Sequence, residues 1–315
     1  MLTAMLSRIA SSVLVLFLVS LIAFLLAALS PRHPEVYKVG ADAPIETVER
    51  VRASLGLDRP LPEQYFDWLA NALQGDLGKS YVSDLSVSSE IALRAPRTLM
   101  LVVMAVALAA VLGLSIGTFS AIYQGGWVDR LLTNLAGILQ AVPGFWLGIM
   151  LVTLFALLLG WLPATGYVSP SVSLGDWLRS IILPTLALGL ASTAAIARQL
   201  RGSLINEFQK DYMRSAVAQG YGRMQAGLGL AIRNAMGPAV TVIGFQTIVK
   251  LSTVVVVEKV FAIDGLGSLA LNAVFRGDTP MLLGCVTVFA VVVVLVNLLV
   301  DMTYGWISPL SRSAA

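Results

Sequence analysis

Charge is what this sequence has least of. Of its 315 residues only 12% are Asp, Glu, Lys or Arg, while 57% are hydrophobic. Soluble domains carry roughly 25% charged residues. So small a charged share cannot cover a water-facing surface, and the mean hydropathy of +0.83 points to the bilayer as the main solvent. Cysteine and histidine are nearly missing too. Cys285 lies alone in an apolar run, and His33 lies alone just after the first apolar stretch. One of each excludes a disulfide framework and a Cys/His metal site. A His-led triad is equally out of reach, because His33 stands alone beside a membrane exit, and acids inside the apolar runs are nearly absent. The net charge of +3 is small, and its basic residues are spread among loops, which gives no argument for nucleic acid.

What is present is a series of long apolar runs that do not alternate, so they read as helices rather than barrel strands. About 20 residues at 1.5 Å each cross the hydrocarbon core. The fold class is therefore an all-α membrane protein with six transmembrane helices. The first span is Ile9–Leu29, the second about Leu99–Ile122, and the third near Leu131–Gly160 with a kink at Pro143. The fourth is about Ile181–Ala197 and contains Pro184, the fifth about Ala235–Val257, and the sixth about Met281–Met302. "ALSP" after the first run resembles a cleavage site. However, 21 uncharged residues exceed the ~7–15 of a signal peptide core, so a retained helix is expected.

Six spans put both termini on one side. The stretch Arg198–Arg233 carries six Lys/Arg against Glu207 and Asp211, an excess that marks the cytoplasm. Arg8, Arg130 and Arg312 then share that side. The segment Pro31–Arg97 falls outside, where its length and ten acids against eight bases weaken the charge rule. This gives an N-terminal helix (1–30), an extracytoplasmic helical segment (31–97) and a core (98–310) with a cytoplasmic loop (198–235). In the outer segment Val48, Val51 and Leu55 recur at helical spacing with Gly56 as a stop, and Phe66, Leu69 and Leu73 do the same. The pair reads either as amphipathic helices lying on the outer surface or as a docking platform for an external partner.

Two short motifs invite nucleotide readings that their context denies. "GDLGKS" (Gly75–Ser80) lacks the first glycine of a phosphate-binding loop, since Leu73 stands there. "GLGSLA" (Gly265–Ala270) follows the end of a membrane helix instead of a strand, and no βαβ unit surrounds it. A glycine-rich turn re-entering the membrane is the better reading.

The stretch "EFQKDYMRSAVAQGYGRMQAG" (Glu207–Gly227) is the polar exception between the fourth and fifth spans. Asp211 is placed to cap a helix from Tyr212, and Gly220 and Gly222 end it. Met213, Ala216 and Val217 share one face, and the small residues at 215, 216 and 218 allow close approach. A helix lying on lipid would carry bulky anchors and a Lys/Arg-rich face. The Ala, Ser and single Met here suit a protein partner better.

These residues resemble a known family. "DYMRSAVAQG", followed after 17 residues by Pro238, resembles the cytoplasmic coupling motif, or EAA loop, of type I ABC importer permeases. The variant is similar to the oligopeptide/dipeptide/nickel branch. "RNAMGP" (Arg233–Pro238) supplies the end of that motif. Asp211, Tyr212, Arg214, Ala216, Ala218 and Gly220 match, while Ser215, Val217 and Gln219 replace Thr, Arg and Lys. "LGLDRPLPEQYFDWLANALQGDLGKSY", "RAPRTLML", "VPGFWLGIML", "GWLPATGY", "ILPTLALGL" and "VVVEKVFAIDGLGSL" resemble further segments of the branch in order, with Asp264 where Pro is usual. "DMTYGWISPL" resembles its closing motif, with Ser308 and Leu310 replacing Asp and Arg.

The resemblance implies a MetI-like permease fold and one membrane subunit of an ATP-driven importer in a prokaryotic cytoplasmic (inner) membrane. Its partners would be a second homologous permease subunit, two ATPase subunits, an extracytoplasmic solute-binding protein and membrane lipid. The chain would be no enzyme and hold no cofactor, with ATP and Mg bound on the ATPases. Asp211, Tyr212, Arg214, Ser215, Ala216, Gln219 and Gly220 would form the ATPase coupling helix. Peptide is the commonest solute of the branch; nickel, glutathione or sugar are the alternatives.

Lys250 is not explained by the family. It lies inside the fifth span, 12 residues after Pro238, about 18 Å along a helix. A charge there costs roughly 2.5–3.5 kcal/mol on insertion scales. It either snorkels outward or pairs with an acid of the second permease, or it lines the translocation path with Gln246 and Thr253 and favours a negatively charged solute. A secondary transporter would show repeated halves and paired charged broken helices, and neither is evident. A membrane enzyme lacks a catalytic constellation. Asn297 and Asp301 read as helix packing.

Overall fold

The computed structural model describes the backbone of residues 2–307 and the side chains of 10–303 other than 217, 223, 226 and 227. Arg312, Ser308 and Leu310, and the side chains of Arg8 and Val217, lie outside the described residues. All regular secondary structure among the described residues is helical. In order the elements are α1 (Leu2–Ala28), α2 (Pro34–Val39), α3 (Ile45–Ser54), α4 (Leu61–Leu73) and α5 (Val87–Ile122). There follow α6 (Trp127–Ala141), α7 (Gly144–Leu151) with a π-helical continuation (Val152–Leu158), and α8 (Leu174–Phe208). The chain continues with α9 (Asp211–Ala218), α10 (Arg223–Ala226), a π turn (Gly227–Ala231) leading into α11 (Ile232–Val260), α12 (Leu266–Arg276) and α13 (Thr279–Ile307). Among the described residues five helices are long and apolar enough to cross a bilayer, or six if the bent pair α6–α7 is one span.

The chain forms two compact units. One runs to Thr98 and includes Asp264–Val294; the other comprises Leu99–Ile263 and the chain from Leu295 on.

In the first unit α4 docks on α1. Tyr65 is 2% exposed, its hydroxyl is 2.9 Å from Ser20 Oγ, and its ring lies among Phe17, Phe24 and Trp68. The helical spacing expected here holds, but its phase is shifted. Phe66 and Leu73 are exposed, while Tyr65 and Trp68 turn inward and Leu69 is half-buried. Tyr65 wins the inner face because its ring fills the aromatic cluster while its hydroxyl still finds a partner. α3 follows the expected spacing, with Val48, Val51 and Leu55 half-buried and Gly56 at φ +70° after its end.

In the second unit α8 is the central helix, packed by α6, α7 and α11. Its apolar window is 72% buried, against 28% or less in the other spans. It runs far beyond the expected Ile181–Ala197. Ser173 caps its start by accepting from Asp176 N at 3.2 Å, and the helix crosses Pro184 and ends at Phe208. Thirty-five residues measure about 52 Å, well beyond a ~30 Å hydrocarbon core. The segment 198–208, expected as loop, is helical because Leu200 and Leu204 continue the buried face one turn apart.

The kink expected at Pro143 is instead a break. α6 and α7 meet at 98°. Proline disfavours the helical region for the residue before it, and Val142 is extended at φ −87°, ψ 123°. α5 approaches α8 closely through Gly113 and Gly117. A Cβ on either would stand 2.7 Å from Ile196 Cβ or 2.6 Å from the Ala197 carbonyl oxygen, respectively.

Candidate functional site

The second unit carries a short helix outside the spans. α9 has eight residues, too few to be stable alone in water, so its place is set by its anchors. Met213 is 3% and Ala216 5% exposed, one turn apart on the same face. Met213 joins a core with Leu200 and Leu204 of α8 and Ala235 and Ala239 of α11. The opposite side presents Asp211, Arg214, Ser215, Ala218 and Gln219 to the exterior, and Tyr212 is 37% exposed. Ala216 thus serves the chain's own core, and the small residues left outward are Ser215 and Ala218.

The expected cap at Asp211 shifts by one residue. The Lys210 carbonyl accepts from Met213 N at 3.0 Å and Arg214 N at 3.3 Å, so Lys210 holds the cap position. Asp211 is the first helical residue, where its charge suits the positive helix end, and it lies 3.7 Å from Arg214. The C-terminal end forms as expected. Gly220 adopts φ +93°, and Tyr221 N donates to the Ala216 carbonyl at 3.2 Å, a Schellman closure that favours glycine.

Glu207, 8% exposed, ties α9 to the long helices. Its carboxylate accepts from Lys210 Nζ and from Tyr212 Oη, both at 2.6 Å. The Tyr212 hydroxyl in turn accepts from Asn234 Nδ2 of α11 at 3.3 Å. Burial, with the Glu207 carboxylate beside it, raises the Tyr212 phenol above its ordinary value of 10.0. One side-chain chain therefore joins the end of α8, the start of α9 and the start of α11.

Two helical turns back along α8, Arg201 grips Asp129 of α6 with both arms. Nε reaches Oδ1 at 2.8 Å and Nη2 reaches Oδ2 at 2.7 Å. Ser120 of α5 and Thr133 also donate to the same carboxylate, as does Gly125 N at 2.9 Å. Asp129 is 5% exposed. A fork matched to a carboxylate fixes orientation as well as charge, so the α5–α6 turn and α8 are held as one piece. Sequence alone does not reveal this site, because Arg201 falls in the basic stretch 198–233 between two apolar runs. The available signal was Asp129 in the first turn after the Gly125–Gly126 pair. Glu258, 0% exposed in α11, is a further acid in a span helix. Acids there are fewer than in a soluble protein but not absent.

The candidate path residues are placed unequally. Lys250 is 6% exposed, and among the described residues no acid pairs with it. Gln246 accepts from Ser192 Oγ of α8 at 2.7 Å. Thr253 is exposed and donates to its own helix at Val249 O, 3.1 Å. The three share a helix and a spacing but not one environment.

The two declined motifs have their own roles in the first unit. Gly75–Ser80 is a non-helical connection with Gly75 at φ +89° and Gly78 at φ +84°, Lys79 pairs with Ser86, and the next helix begins only at Val87. Gly265 caps α12, and the element before it is helix α11; a short helix stands where a turn was expected. Asp264 is the partner of "RAPR", 2.9 Å from Arg94 Nε and 3.4 Å from Arg97 Nη1.

Comparison with known proteins gives concordant matches. Residues 113–313 match the family described as binding-protein-dependent transport system inner membrane component, and residues 1–102 match the corresponding N-terminal family. The chain is 40% identical over 312 residues to the glutathione transport system permease protein GsiC of Pectobacterium atrosepticum, covering 99% of both chains. It is 37% identical to GsiC of Escherichia coli K12, again with 99% of each covered. It is 36% identical to a putative peptide transport system permease protein of Brucella melitensis, at the same coverage. A solved structure titled as an inward-facing conformation of the MetNI methionine ABC transporter aligns at TM-score 0.54 and 16% identity, covering 69% of this chain and 95% of the other. At that identity the likeness speaks for the fold.

Proposed function

This chain belongs to the family of binding-protein-dependent transport system inner membrane components, and from that premise we propose that it forms half the translocation path of an ATP-driven ABC importer for peptides or a related small solute. Relatives named for glutathione and for peptide transport place glutathione beside peptide as the solute class. The observation that carries the reading is α9, a short helix anchored on one face and bare on the other.

In this reading the bare face, with Asp211, Tyr212, Arg214, Ser215 and Gln219, seats in a groove of a partner ATPase. Met213 and Ala216 hold the helix to the permease, and Gly220 lets the chain turn away without strain. When the ATPases close on ATP, α9 moves as a rigid body. Two links pass that movement on. Glu207, Tyr212 and Asn234 join α9 to α8 and α11, and the Arg201–Asp129 fork carries displacement of α8 to α6. ATP is hydrolysed on the ATPases, so this chain supplies path and gate. A second permease subunit completes the path, and a binding protein delivers solute from the side facing residues 31–97. Both termini lie on the ATPase side. Lys250, buried and with no acid beside it among the described residues, draws the negative end of the solute, and Gln246 and Thr253 lie on the same helix.

The test is deletion of Tyr212–Gly220 in the tagged complex. ATPase subunits should no longer co-purify, while the permease remains in the membrane. Undiminished co-purification sinks the docking assignment.

A further inference from the structure

The first unit holds a cavity of about 240 Å³ between the Ser80–Leu85 turn, the start of α5, α12 and the start of α13. That is the liquid volume of about eight water molecules, enough for a small dipeptide. Most of its charges neutralise one another. Glu90 and Asp264 are taken by Arg94 at 2.6 and 2.9 Å, and Arg97 supplies the second cation, 3.4 Å from Asp264. Two charges are left over, and both line the cavity.

One is Asp278, 5% exposed. It accepts one hydrogen bond on each oxygen, from Ser80 Oγ at 2.5 Å and Tyr81 N at 3.0 Å. Both donors are neutral, and among the described residues no cation pairs with it. A carboxylate taken out of water with no counter-charge is costly, and its remaining lone pairs are free to accept. The other is Arg276, exposed at the end of α12, with no acid beside it among the described residues. A buried anion and an accessible cation lining one cavity match a molecule with an ammonium at one end and a carboxylate at the other.

We propose that this cavity is a receiving site for a small zwitterionic solute, with its primary ammonium on Asp278 and its carboxylate on Arg276. The site rests on the importer reading for its purpose but not for its chemistry. It lies outside the coupling machinery and outside the Lys250 path. Ser80 has a precise supporting part. Its hydroxyl accepts from Val82 N and Ser83 N at 3.2 and 2.9 Å while donating to Asp278, so the turn orients the carboxylate before any ligand arrives.

The experiment uses the intact complex in lipid nanodiscs and follows binding of glycylglycine by saturation-transfer NMR. Wild type should bind glycylglycine but neither N-acetyl-glycylglycine nor a simple alkylamine with equal strength. Asp278→Asn should weaken glycylglycine about tenfold or more. It should leave the fold intact, since the amide oxygen can still accept from Tyr81 N and Ser80 Oγ keeps its bonds from Val82 N and Ser83 N. Arg276→Gln should weaken glycylglycine while leaving glycylglycinamide unchanged, and this exposed substitution keeps the proposal falsifiable if Asp278→Asn misfolds. Equal binding of the acetylated dipeptide, indifference to both substitutions, or no binding to wild type overturns the site. ATP-driven uptake in proteoliposomes is read separately. If binding follows this pattern but ATP drives no uptake, the site stands and the importer reading fails. If uptake is ATP-driven while binding ignores Asp278 and Arg276, the outcome is reversed.

Discussion

Arg201 and Lys250 are two cations in long apolar helices with opposite circumstances. Arg201 meets a buried carboxylate in a two-armed contact, so removing it strands Asp129. Breaking such a pair costs roughly 3–5 kcal/mol when fully buried; the arginine side chain is 30% exposed, so about half of that is expected. Lys250 is buried without an acid partner among the described residues, so its charge costs stability. Arg201→Ala should therefore lower the thermal midpoint of the purified protein, whereas Lys250→Ala should leave it unchanged or raise it while impairing solute uptake. Normal uptake kinetics in Lys250→Ala would remove it from the path. The sequence shows both cations plainly, but it does not show which has a partner. That depends on α6 reaching α8 across 72 positions of chain.

At the scale of elements, α5 and α8 meet through small residues. Without water to drive association, helices in lipid rely on close packing and gain most where glycine lets backbones approach. Gly113 and Gly117, four residues apart, lie against Thr193, Ile196 and Ala197, and Gly189 of α8 returns the contact to Ala105. Gly117→Val should cost about 1–3 kcal/mol by overpacking, measured as a lower midpoint of thermal unfolding in detergent. Gly137→Val, at a position with nothing within 4 Å, is the control. Equal loss at both positions would refute the contact. The helix pair was legible as two apolar runs, but the glycine seam was not, because spacing alone does not say which face meets which neighbour. The same ambiguity moved the buried face of α4 from Phe66 and Leu73 to Tyr65 and Trp68. It also hid the polar end of α8, whose charged residues read as loop while Leu200 and Leu204 held it helical.

For the molecule as a whole, charge in the loops bears on orientation. The basic excess of Arg198–Arg233 is the reason to propose the cytoplasmic side for that stretch, and the count of spans is the reason to propose the outer side for Pro31–Arg97. The single native cysteine, Cys285, is buried, which makes thiol labelling clean. A cysteine at Asp42 should react with an impermeant maleimide in intact cells, and one at Arg214 only after the membrane is opened. The reverse pattern would invert the topology and the direction of coupling with it.

Composition and pattern by themselves determined that this chain lives in a bilayer, that it crosses as helices, and that a polar stretch at Glu207–Gly227 interrupts them. Those conclusions follow from local quantities: the charge available to meet water, the length of apolar runs, and the residues that start and stop a helix. Tertiary structure alone decided that α6 and α7 meet at 98°, that Met213 and Ala216 face inward, that Arg201 has a partner, and that Asp278 and Arg276 line one cavity. Each depends on residues far apart in the chain arriving side by side. The energy that selects such arrangements comes from packing and burial, which no local stretch of sequence contains.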